Sequence, residues 1–530
     1  MDSNTRVILA VGLSLLVLLI WNFLFPPPKP QPASTNNTKH KTIVSPKQFL
    51  PDQNIPPLTT FNLQKGAKIT VNTPLYKAVI NSQGGILEHF VLKKYKVSVR
   101  PNSPNIDLIT PEALTKGPLG IIWNKIPTWL KFKWSYQGQN IYLTKNDTSK
   151  ALIFKGEYQG LTILRELHFY SNTYQIKEQV KIISNKPEIS ELAFVLSTLP
   201  LEKAENRYNR TRIVYLSKDG LTEEKDKDKL KTGILISNEV KWGAIANNYF
   251  LLGLIPTTNN FVFKAKLEKN IYRLALAQNL HLSPSKPTVV NCIYYLGPKE
   301  EKQLAMVPND LEAAIHYGWF DFISKPLIKL LNFFYQFTHN YGVAIILLTI
   351  LIKLLFWPLA NKSYKSMNQM KKLQPLMAEI REKYKDDKQK MQEEMMRLYK
   401  TYKVNPAGGC MPMLIQIPVF FGLYQGLLGA IELRHAPFIY HLPFTHIIWL
   451  ADLSAKDPLY ITPLIMGATM FIQQKMTPAP GDPTQAKIML FMPIIFTFLF
   501  LNFPSGLVIY WLVNNILSIA QQWLIMKKED

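Results

Sequence analysis

The chain has 530 residues, of which 47% are hydrophobic and 18% charged, and its formal net charge is +24. One hydrophobic core rarely organises so long a chain, which argues against a single domain and predicts at least two structural units. The sequence has no compact Lys/Arg patch interleaved with aromatic residues, so a nucleic-acid function is disfavoured and anionic membrane lipids are the favoured partner of the positive charge.

The first predicted element is Val7–Phe25, an apolar segment without charged residues that is long enough to cross a hydrocarbon core. A cleaved signal peptide would have a shorter apolar stretch and a small-residue cleavage site, and neither is found here. We therefore predict an uncleaved transmembrane anchor at residues 1–25. Residues 26–58 are rich in Pro, Asn, Thr and Lys and predict a flexible linker.

Residues 59–318 predict a large β-sandwich domain. Thr162–Tyr170 and Tyr174–Ile183 are β-type segments that flank a short turn, as in a β-hairpin. In the second segment apolar residues are predicted on a buried face, whereas Gln175 is among the polar residues predicted on the other face. No catalytic constellation is found, which favours a binding or spacing module. The mixed charges of Glu223–Lys231 predict a solvated loop.

Residues 319–338 predict an amphipathic helix. Polar residues recur at intervals of three or four, so they line one helical face while Phe, Ile and Leu fill the rest. A helix of this kind lies in a membrane interface, and burial against the β-domain is the alternative. We expect Pro326 to bend the helix or to mark its start.

Residues 339–530 predict a membrane core of five transmembrane helices. Together with the anchor they make six spans. The apolar runs of the core are Tyr341–Leu359, Met411–Ile431, Leu459–Gln473, Ile488–Phe503 and Leu507–Met526. The fold class predicted is thus a multidomain membrane protein, with an α-helical membrane core and a large extracytoplasmic β-sandwich.

The bias of Lys and Arg in the connections predicts the orientation. Asn361–Lys403 holds twelve Lys/Arg against six Asp/Glu, whereas Glu432–Pro458 holds only Arg434 and Lys456. The first connection is therefore predicted to be cytoplasmic. Six crossings then place both termini in the cytoplasm and residues 26–340 outside, in the periplasm of a bacterium.

Lys353 is the residue with the strongest predicted function, because it interrupts the apolar run Ile345–Leu359. A cation at such depth costs about 2.5–3.5 kcal/mol, so it is normally paired or faces water within the protein. The alternative is that Lys353 snorkels to the cytoplasmic surface. Other polar or amphipathic residues of the spans are candidates for the same hydrated cavity, with ordinary helix–helix hydrogen bonding as the alternative. They are Thr349, Gln416, Trp511, Asn514, Asn515 and Ser518.

The segment 361–403 predicts a cytoplasmic hairpin of two charged helices, broken near Asp386 and Asp387. Its methionines are flexible and polarizable, which suits promiscuous apolar contacts with a substrate. Contact between the two helices themselves is an equally good explanation. The candidates for receiving a substrate are Met370, Met377, Met391 and Met395.

Four motifs resemble the YidC insertase family. The run Lys403–Phe420, which reads KVNPAGGCMPMLIQIPVF, is the most specific of them. Phe503–Leu507, Asp457-Pro458 and Leu296–Lys299 support it, and the resemblance covers nearly the whole chain. The β-domain with an N-terminal anchor is similar to the Gram-negative form of the family.

The resemblance implies an inner-membrane insertase and chaperone with a hydrophilic groove that opens to the cytoplasm and the lipid. It also implies one positive charge in the second span, here Lys353. The family pattern has arginine at that position, and lysine keeps the charge without the planar five-donor group. The implied partners are nascent inner-membrane proteins, the Sec translocon, membrane lipids and the ribosome, the last contacted through cytoplasmic loops.

Two other classes of function were weighed against the insertase. A transporter or channel would also place polar groups within spans, but repeated halves and paired gating carboxylates are not found. A membrane enzyme finds support only in His435, His441 and His446, which lack a carboxylate partner at helical spacing. We therefore expect no enzyme activity, no metal and no cofactor.

Overall fold

The computed structural model describes residues 66–530, except for residues 203–208, 238, 259, 285, 403, 405–410, 478–482 and 530. The predicted anchor at residues 1–25 and the predicted linker at residues 26–58 lie outside the described residues, as does part of the motif Lys403–Phe420. Strands dominate the β-rich region, residues 68–298, and helices dominate the helical region, residues 321–529.

The β-rich region is built mainly of antiparallel strands with three short helices in and just beyond it. The strands are β1 (Lys68–Asn72), β2 (Tyr76–Asn81), β3 (Ile86–Lys96), β4 (Asn105–Asp107), β5 (Gly120–Trp123), β6 (Ile126–Pro127), β7 (Lys133–Gln137), β8 (Ile141–Tyr142), β9 (Ser149–Tyr158), β10 (Leu161–Tyr170), β11 (Gln175–Ser184), β12 (Glu188–Thr198), β13 (Arg212–Ser217), β14 (Gly220–Glu224), β15 (Ile234–Ile236), β16 (Trp242–Ala246), β17 (Phe250–Pro256), β18 (Val262–Glu268), β19 (Ile271–Leu282) and β20 (Thr288–Pro298). The short helices are α1 (Thr128–Lys131), α2 (Lys227–Thr232) and α3 (Glu301–Leu304).

Two large sheets pack face to face. One has nine strands in the order β14-β13-β16-β17-β20-β11-β10-β9-β7, and the other has six in the order β15-β18-β19-β12-β5-β6. Phe194 of β12 meets Tyr294 of β20 edge-on, with ring centroids 6.4 Å apart, so the two sheets share one core. A five-stranded sheet, β4-β3-β2-β1-β8, contributes to the same core.

The predicted hairpin is confirmed, because β10 and β11 pair antiparallel from Leu161 opposite Ser184 onward. Every second residue of β10 is buried, as expected for a strand whose side chains alternate between faces. Gln175 lies on the face opposite Ile176, as predicted, but it is buried there and not exposed to solvent. Its side chain is 4% exposed and donates to the backbone oxygen of Met306, because the chain that follows β20 covers this end of the strand.

The loop predicted at Glu223–Lys231 is wrong as to its structure, although residues 225–229 are exposed to solvent as predicted. Glu223 belongs to β14, and Asp226 caps helix α2 by accepting from the backbone of Asp228 and Lys229. Burial works against the charge of Glu223, but Arg212 at 3.1 Å, Lys225 and Lys299 together outweigh it and lower the pKa of Glu223 to about 2. The segment is thus exposed to solvent, but pairing with the neighbouring strand and a helix cap give it regular structure.

The helical region contains nine helices among the described residues, together with a small β-hairpin. The helices are α4 (Asp321–Thr338), α5 (Tyr341–Leu355), α6 (Trp357–Lys372), α7 (Gln374–Lys383), α8 (Lys388–Thr401), α9 (Met411–Gly429), α10 (Ile461–Met476), α11 (Pro483–Phe500) and α12 (Ser505–Glu529). The hairpin strands are β21 (Ile439–His441) and β22 (Ile448–Leu450). Leu348 of α5, Leu423 of α9, Met466 of α10 and Leu507 of α12 are buried in one cluster, so these helices form a single bundle.

Helix α4 packs on α9 through small residues. A side chain added at Gly422 or Gly426 would come within 3.0 Å of Ile323 or Ile328, so only glycine permits this approach. Ser324 is fully buried and donates to the backbone oxygen of Gly422 at 2.7 Å. The other face of α4 remains exposed, as the aromatic side chains there show. They are Phe322 (73% exposed), Phe333 (50%) and Phe337 (70%).

By length and hydropathy, α12 is apolar enough to cross a membrane over Ser505–Ile525. Helices α5 and α6 pass the same test only together, and they are bent by 64° at the break between them. Within the described residues this gives one span, or two if the bent pair counts as one. The prediction of six spans is not confirmed by these lengths, because apolar runs fall on short helices such as α5, with 15 residues, and α10, with 16.

The β-rich and helical regions are joined by polar contacts. Arg434, which follows α9, donates to the backbone oxygen of Lys96 at 2.9 Å and lies 3.8 Å from Glu202. Asn248 donates to the backbone oxygen of Leu428 at 3.1 Å. These contacts place the loop between β16 and β17 against the end of α9.

Candidate functional site

Lys353 lies in the last turn of α5 and turns toward α12. Asn340 caps the start of α5 by accepting from the backbone of Gly342 and Val343, which fixes the helix and its register. The Lys353 Nζ donates to the Ser518 Oγ at 2.7 Å. The side chain is therefore held within the helix bundle at its half-buried inner face rather than extended away from it.

Ser518 connects Lys353 to the backbone of α12. Its hydroxyl accepts from Lys353 and donates to the backbone oxygen of Asn514 at 2.7 Å, which uses both its donor and one acceptor position. The Tyr364 hydroxyl of α6 also interacts with Ser518. Within the described residues no carboxylate pairs with Lys353, so its charge is matched only by neutral dipoles.

The polar face of α12 is buried over two turns. Asn514, Asn515 and Ser518 are 9%, 4% and 3% exposed. Asn515 contacts Thr469 of α10 at 3.4 Å, and Gln521 donates to Asn361 of α6 at 2.8 Å. Part of this face therefore forms ordinary helix–helix hydrogen bonds, which was the alternative to a hydrated cavity.

The remaining predicted residues of the spans are spread around the bundle. Thr349 is 1% exposed, and its hydroxyl donates to the backbone oxygen of Ile345 at 2.6 Å. Trp511 packs between Phe420 and Phe500, with ring centroids 4.8 Å and 5.4 Å away. Gln416 is half-buried on α9. The structure thus brings Lys353 and Ser518 into contact but leaves these three in separate surroundings.

Several buried polar atoms near this site lack a hydrogen-bond partner within the described residues. They are the Trp511 Nε1 and the Oε1 atoms of Gln521 and Gln522. Buried polar groups are normally satisfied, by water where protein does not supply a partner. The interior of the bundle is therefore suited to hold water or a polar group of another molecule.

Sequence reasoning missed two residues of this site. Tyr364 and Asn361 lie on α6 and contact Ser518 and Gln521 of α12. Both occur in a charged stretch that was assigned to the cytoplasmic hairpin as a whole. The bend after Leu355 folds the first part of α6 back against α12. The sequence indicates this bend through Pro358, because proline is favoured in the first turn of a new helix.

The hairpin methionines divide into two groups. Met377 is 5% exposed and packs with Leu373 and Val404, and Met370 and Met395 lie against this small cluster. Met391 is half-buried, whereas Met396 is 50% exposed. Asp387 caps α8 by accepting from the backbone of Lys390, and the break between the helices falls there as predicted.

The histidines that supported an enzyme do not form a metal site. His435 lies 3.8 Å from Asp452, and no group of three or more potential ligands comes together in the part of the chain that the structure describes. Burial and the neighbouring Arg434 lower the pKa of His435 to about 4. This histidine is therefore neutral near pH 7.

Comparison with known proteins defines the class. Residues 68–330 match the family model of the YidC periplasmic domain, and residues 333–530 match that of the 60Kd inner membrane protein. The chain is 53% identical to the membrane protein insertase YidC of Maridesulfovibrio salexigens and 46% identical to that of Lawsonia intracellularis. Each alignment covers 99% of this chain, with 99% and 100% of the respective relatives.

A solved structure of an active YidC insertase is 20% identical, with 97% of this chain and 98% of that one covered and a TM-score of 0.38. The family matches and the full-length relatives identify the protein as a membrane protein insertase of the inner membrane, with a large β-rich periplasmic domain. The chain belongs to the YidC family. The resemblance found in the sequence is confirmed.

Proposed function

We propose that this insertase moves hydrophobic segments of nascent inner-membrane proteins into the lipid through a hydrophilic groove centred on Lys353. The contact between the Lys353 Nζ and the Ser518 Oγ, 2.7 Å long, is the observation that carries the proposal. It supports an inward-facing cation that no described carboxylate neutralises. Such a cation attracts acidic groups of a client and favours water around it.

The physical task is to bring the polar flank of a client across an apolar layer. An unshielded polar group there meets a desolvation cost of several kcal/mol, and a half-crossing wet groove shortens the dry path. In this proposal the groove is lined by Thr349, Gln416, Trp511, Asn514, Asn515 and Ser518 around Lys353. Burial of the client's apolar residues in lipid drives its release, so no cofactor or nucleotide takes part.

The cytoplasmic hairpin receives the client first in this proposal. Met370, Met377 and Met395 support the hairpin from within, since they pack between its helices. Met391 and the exposed Met396 are the methionines placed to meet an apolar segment. Ribosomes would contact the same loops, and the Sec translocon and membrane lipids would flank the bundle.

We also propose the topology of six spans, with both termini in the cytoplasm and residues 26–340 in the periplasm. The Lys/Arg bias supports it, because basic residues remain on the cytoplasmic side. Single exposed positions on either side, Lys145→Cys and Lys385→Cys, test it with a membrane-impermeant maleimide. In cells with only the outer membrane opened, we expect labelling at position 145 and none at position 385. Labelling at position 385 in those cells would contradict the topology, and the parent chain gives the background from its own two cysteines.

Reconstitution of the purified chain into lipid vesicles tests the function itself. We expect a small single-span protein with a short translocated tail to insert severalfold more efficiently than into empty vesicles, as measured by protection of the tail from protease. The vesicles are also loaded with a fluorescent solute, which should stay inside. Solute efflux without insertion would favour a transporter or channel and overturn the proposal.

A further inference from the structure

A polar cavity of about 260 Å³ lies where the periplasmic domain meets the helical bundle. The domain contributes Arg210, Arg212, Glu223, Lys225 and Lys299 to its wall. Four basic side chains thus face one carboxylate, an excess of three basic groups. The end of α9 and the turn before α4 close the other side. The cavity is separate from Lys353 and has no part in the proposed groove.

Among the described residues, Glu223 is the one carboxylate that lines this cavity, and it does not balance the basic side chains. Glu223 is shared between Arg212 at 3.1 Å and Lys225 at 2.8 Å. Lys299 is 7% exposed and forms no ion pair with another described residue. Burial, and then repulsion from Arg212, lower the pKa of Lys299 to about 7. A buried cation without a partner is costly, and a bound anion would offset that cost.

The wall formed by the helical bundle contributes a buried amide, that of Gln425, and a glycine that leaves space beside it. The Gln425 Oε1 is buried and has no hydrogen-bond partner within the described residues. Gly318 has φ of +72°, and a side chain there would come within 3.1 Å of the Gln425 amide and narrow the cavity. Turned by 180°, the Gln425 amide would present its NH₂ group to an anion, since a side-chain amide carries a donor and an acceptor of nearly the same shape.

We propose that this cavity binds a phosphate-bearing anion, and that the headgroup of an anionic phospholipid is its source. Trp319, next to Gly318, is 70% exposed, and Trp side chains mark the level of lipid headgroups. Phe322, one helical turn further on, is 73% exposed, as on the apolar face of an interfacial helix. A volume of 260 Å³ accommodates a phosphate with its glycerol but is below the range of roughly 300–1,000 Å³ for drug-sized ligands. Free phosphate shares the chemistry and is the other source to be distinguished. The lipid source rests on the membrane placement proposed above.

The first arm of the test measures retained lipid. The full chain is purified from nanodiscs that contain phosphatidylglycerol and phosphatidylcholine, and native mass spectrometry counts the phosphatidylglycerol that remains bound. Lys299→Gln should lower this amount at least fivefold. Lys302→Gln removes an exposed positive charge three residues further on and should leave it unchanged. Equal retention in the parent chain and Lys299→Gln, combined with no phosphate binding in the second arm, would overturn the proposal.

The second arm titrates inorganic phosphate into the chain in a neutral detergent, with calorimetry as the readout. If the parent chain binds phosphate, Lys299→Gln abolishes this binding and no lipid is retained in the first arm, the site is supported and its ligand is free phosphate. Arg210 is an exposed residue of the cavity wall, so Arg210→Gln serves as a second variant should Lys299→Gln fold poorly. We expect Arg210→Gln to weaken phosphate binding severalfold. Insertion in vesicles is measured on the same variants, so failure of this site is distinguishable from failure of the groove.

Discussion

Replacement of Lys353 by leucine is expected to lower the insertion of a client with an acidic translocated tail at least tenfold, which corresponds to about 1.4 kcal/mol. Two opposite charges 4 Å apart attract by about 4 kcal/mol at an effective dielectric constant near 20, and desolvation consumes part of that gain. Leucine removes this attraction, and it also removes the hydrogen bond that the Lys353 Nζ donates to the Ser518 Oγ. Protease protection of the tail in reconstituted vesicles measures the effect.

Two controls separate the charge from the shape of the side chain. Lys353→Arg keeps the charge and should retain insertion within about twofold, because attraction of an acidic tail needs no particular donor geometry. Lys365→Leu removes an exposed lysine of α6 and should have little effect. A second client whose tail carries Asn and Gln in place of Asp and Glu should lose its dependence on Lys353. Equal insertion of the acidic client by the parent chain and the leucine variant would show that the charge is not needed.

The contact between Lys353 and Ser518 was accessible to sequence reasoning only in part. A lysine within an apolar run and a row of amides and hydroxyls at helical spacing both stand out, because charged and polar groups are costly in a membrane. Which of these side chains would meet was not predictable from spacing along single helices. It depends on how α5 and α12 pack, and Lys353 reaches Ser518 rather than the neighbouring amides.

The bend between α5 and α6 shows the same limit. The apolar run was predicted to continue to Leu359, but the helix ends at Leu355 and the next begins at Trp357. This break returns Asn361 and Tyr364 to the bundle, where they contact the polar face of α12. Composition averaged over the segment 361–403 concealed these two residues among the surrounding lysines.

In the periplasmic domain, the alternation of apolar and polar residues predicted which neighbouring strands pair. The alternation in β10 and β11 sufficed for their pairing, since each strand buries one face. It did not suffice for Gln175, which is covered by chain 131 residues away, or for Glu223, which is held by Arg212 of the neighbouring strand. Contacts of polar residues with other strands or with later chain are the part of a fold that a local pattern does not contain.

A buried ion pair in the same domain predicts a large effect on stability. Arg165 and Glu178 are fully buried on β10 and β11, with the Arg165 Nε 2.5 Å from the Glu178 Oε1. The guanidinium also donates to the backbone oxygens of Gly84 and Leu119, and Glu178 accepts from the Tyr294 hydroxyl at 2.7 Å. One side chain thus ties two loops to the centre of the nine-stranded sheet.

Arg165→Met is expected to destabilise the periplasmic domain by about 3–5 kcal/mol, because it leaves the Glu178 carboxylate buried without its counter-charge. Hydrogen exchange of β10 and β11 in the full chain, followed by mass spectrometry, measures the free energy of opening. The double variant Arg165→Met/Glu178→Met should recover a substantial part of the loss, since it removes the uncompensated charge as well as the pair.

The matched control is an ion pair of the same sheet that remains in water. Lys155 lies 2.5 Å from Glu157 on β9, with side chains 50% and 52% exposed, so solvent screens their attraction. Lys155→Met should therefore leave hydrogen exchange in the sheet nearly unchanged. If Arg165→Met had no larger effect than Lys155→Met, burial of the Arg165–Glu178 pair would not be what holds the loops at Gly84 and Leu119 to the sheet. The domain would then depend on its apolar core alone.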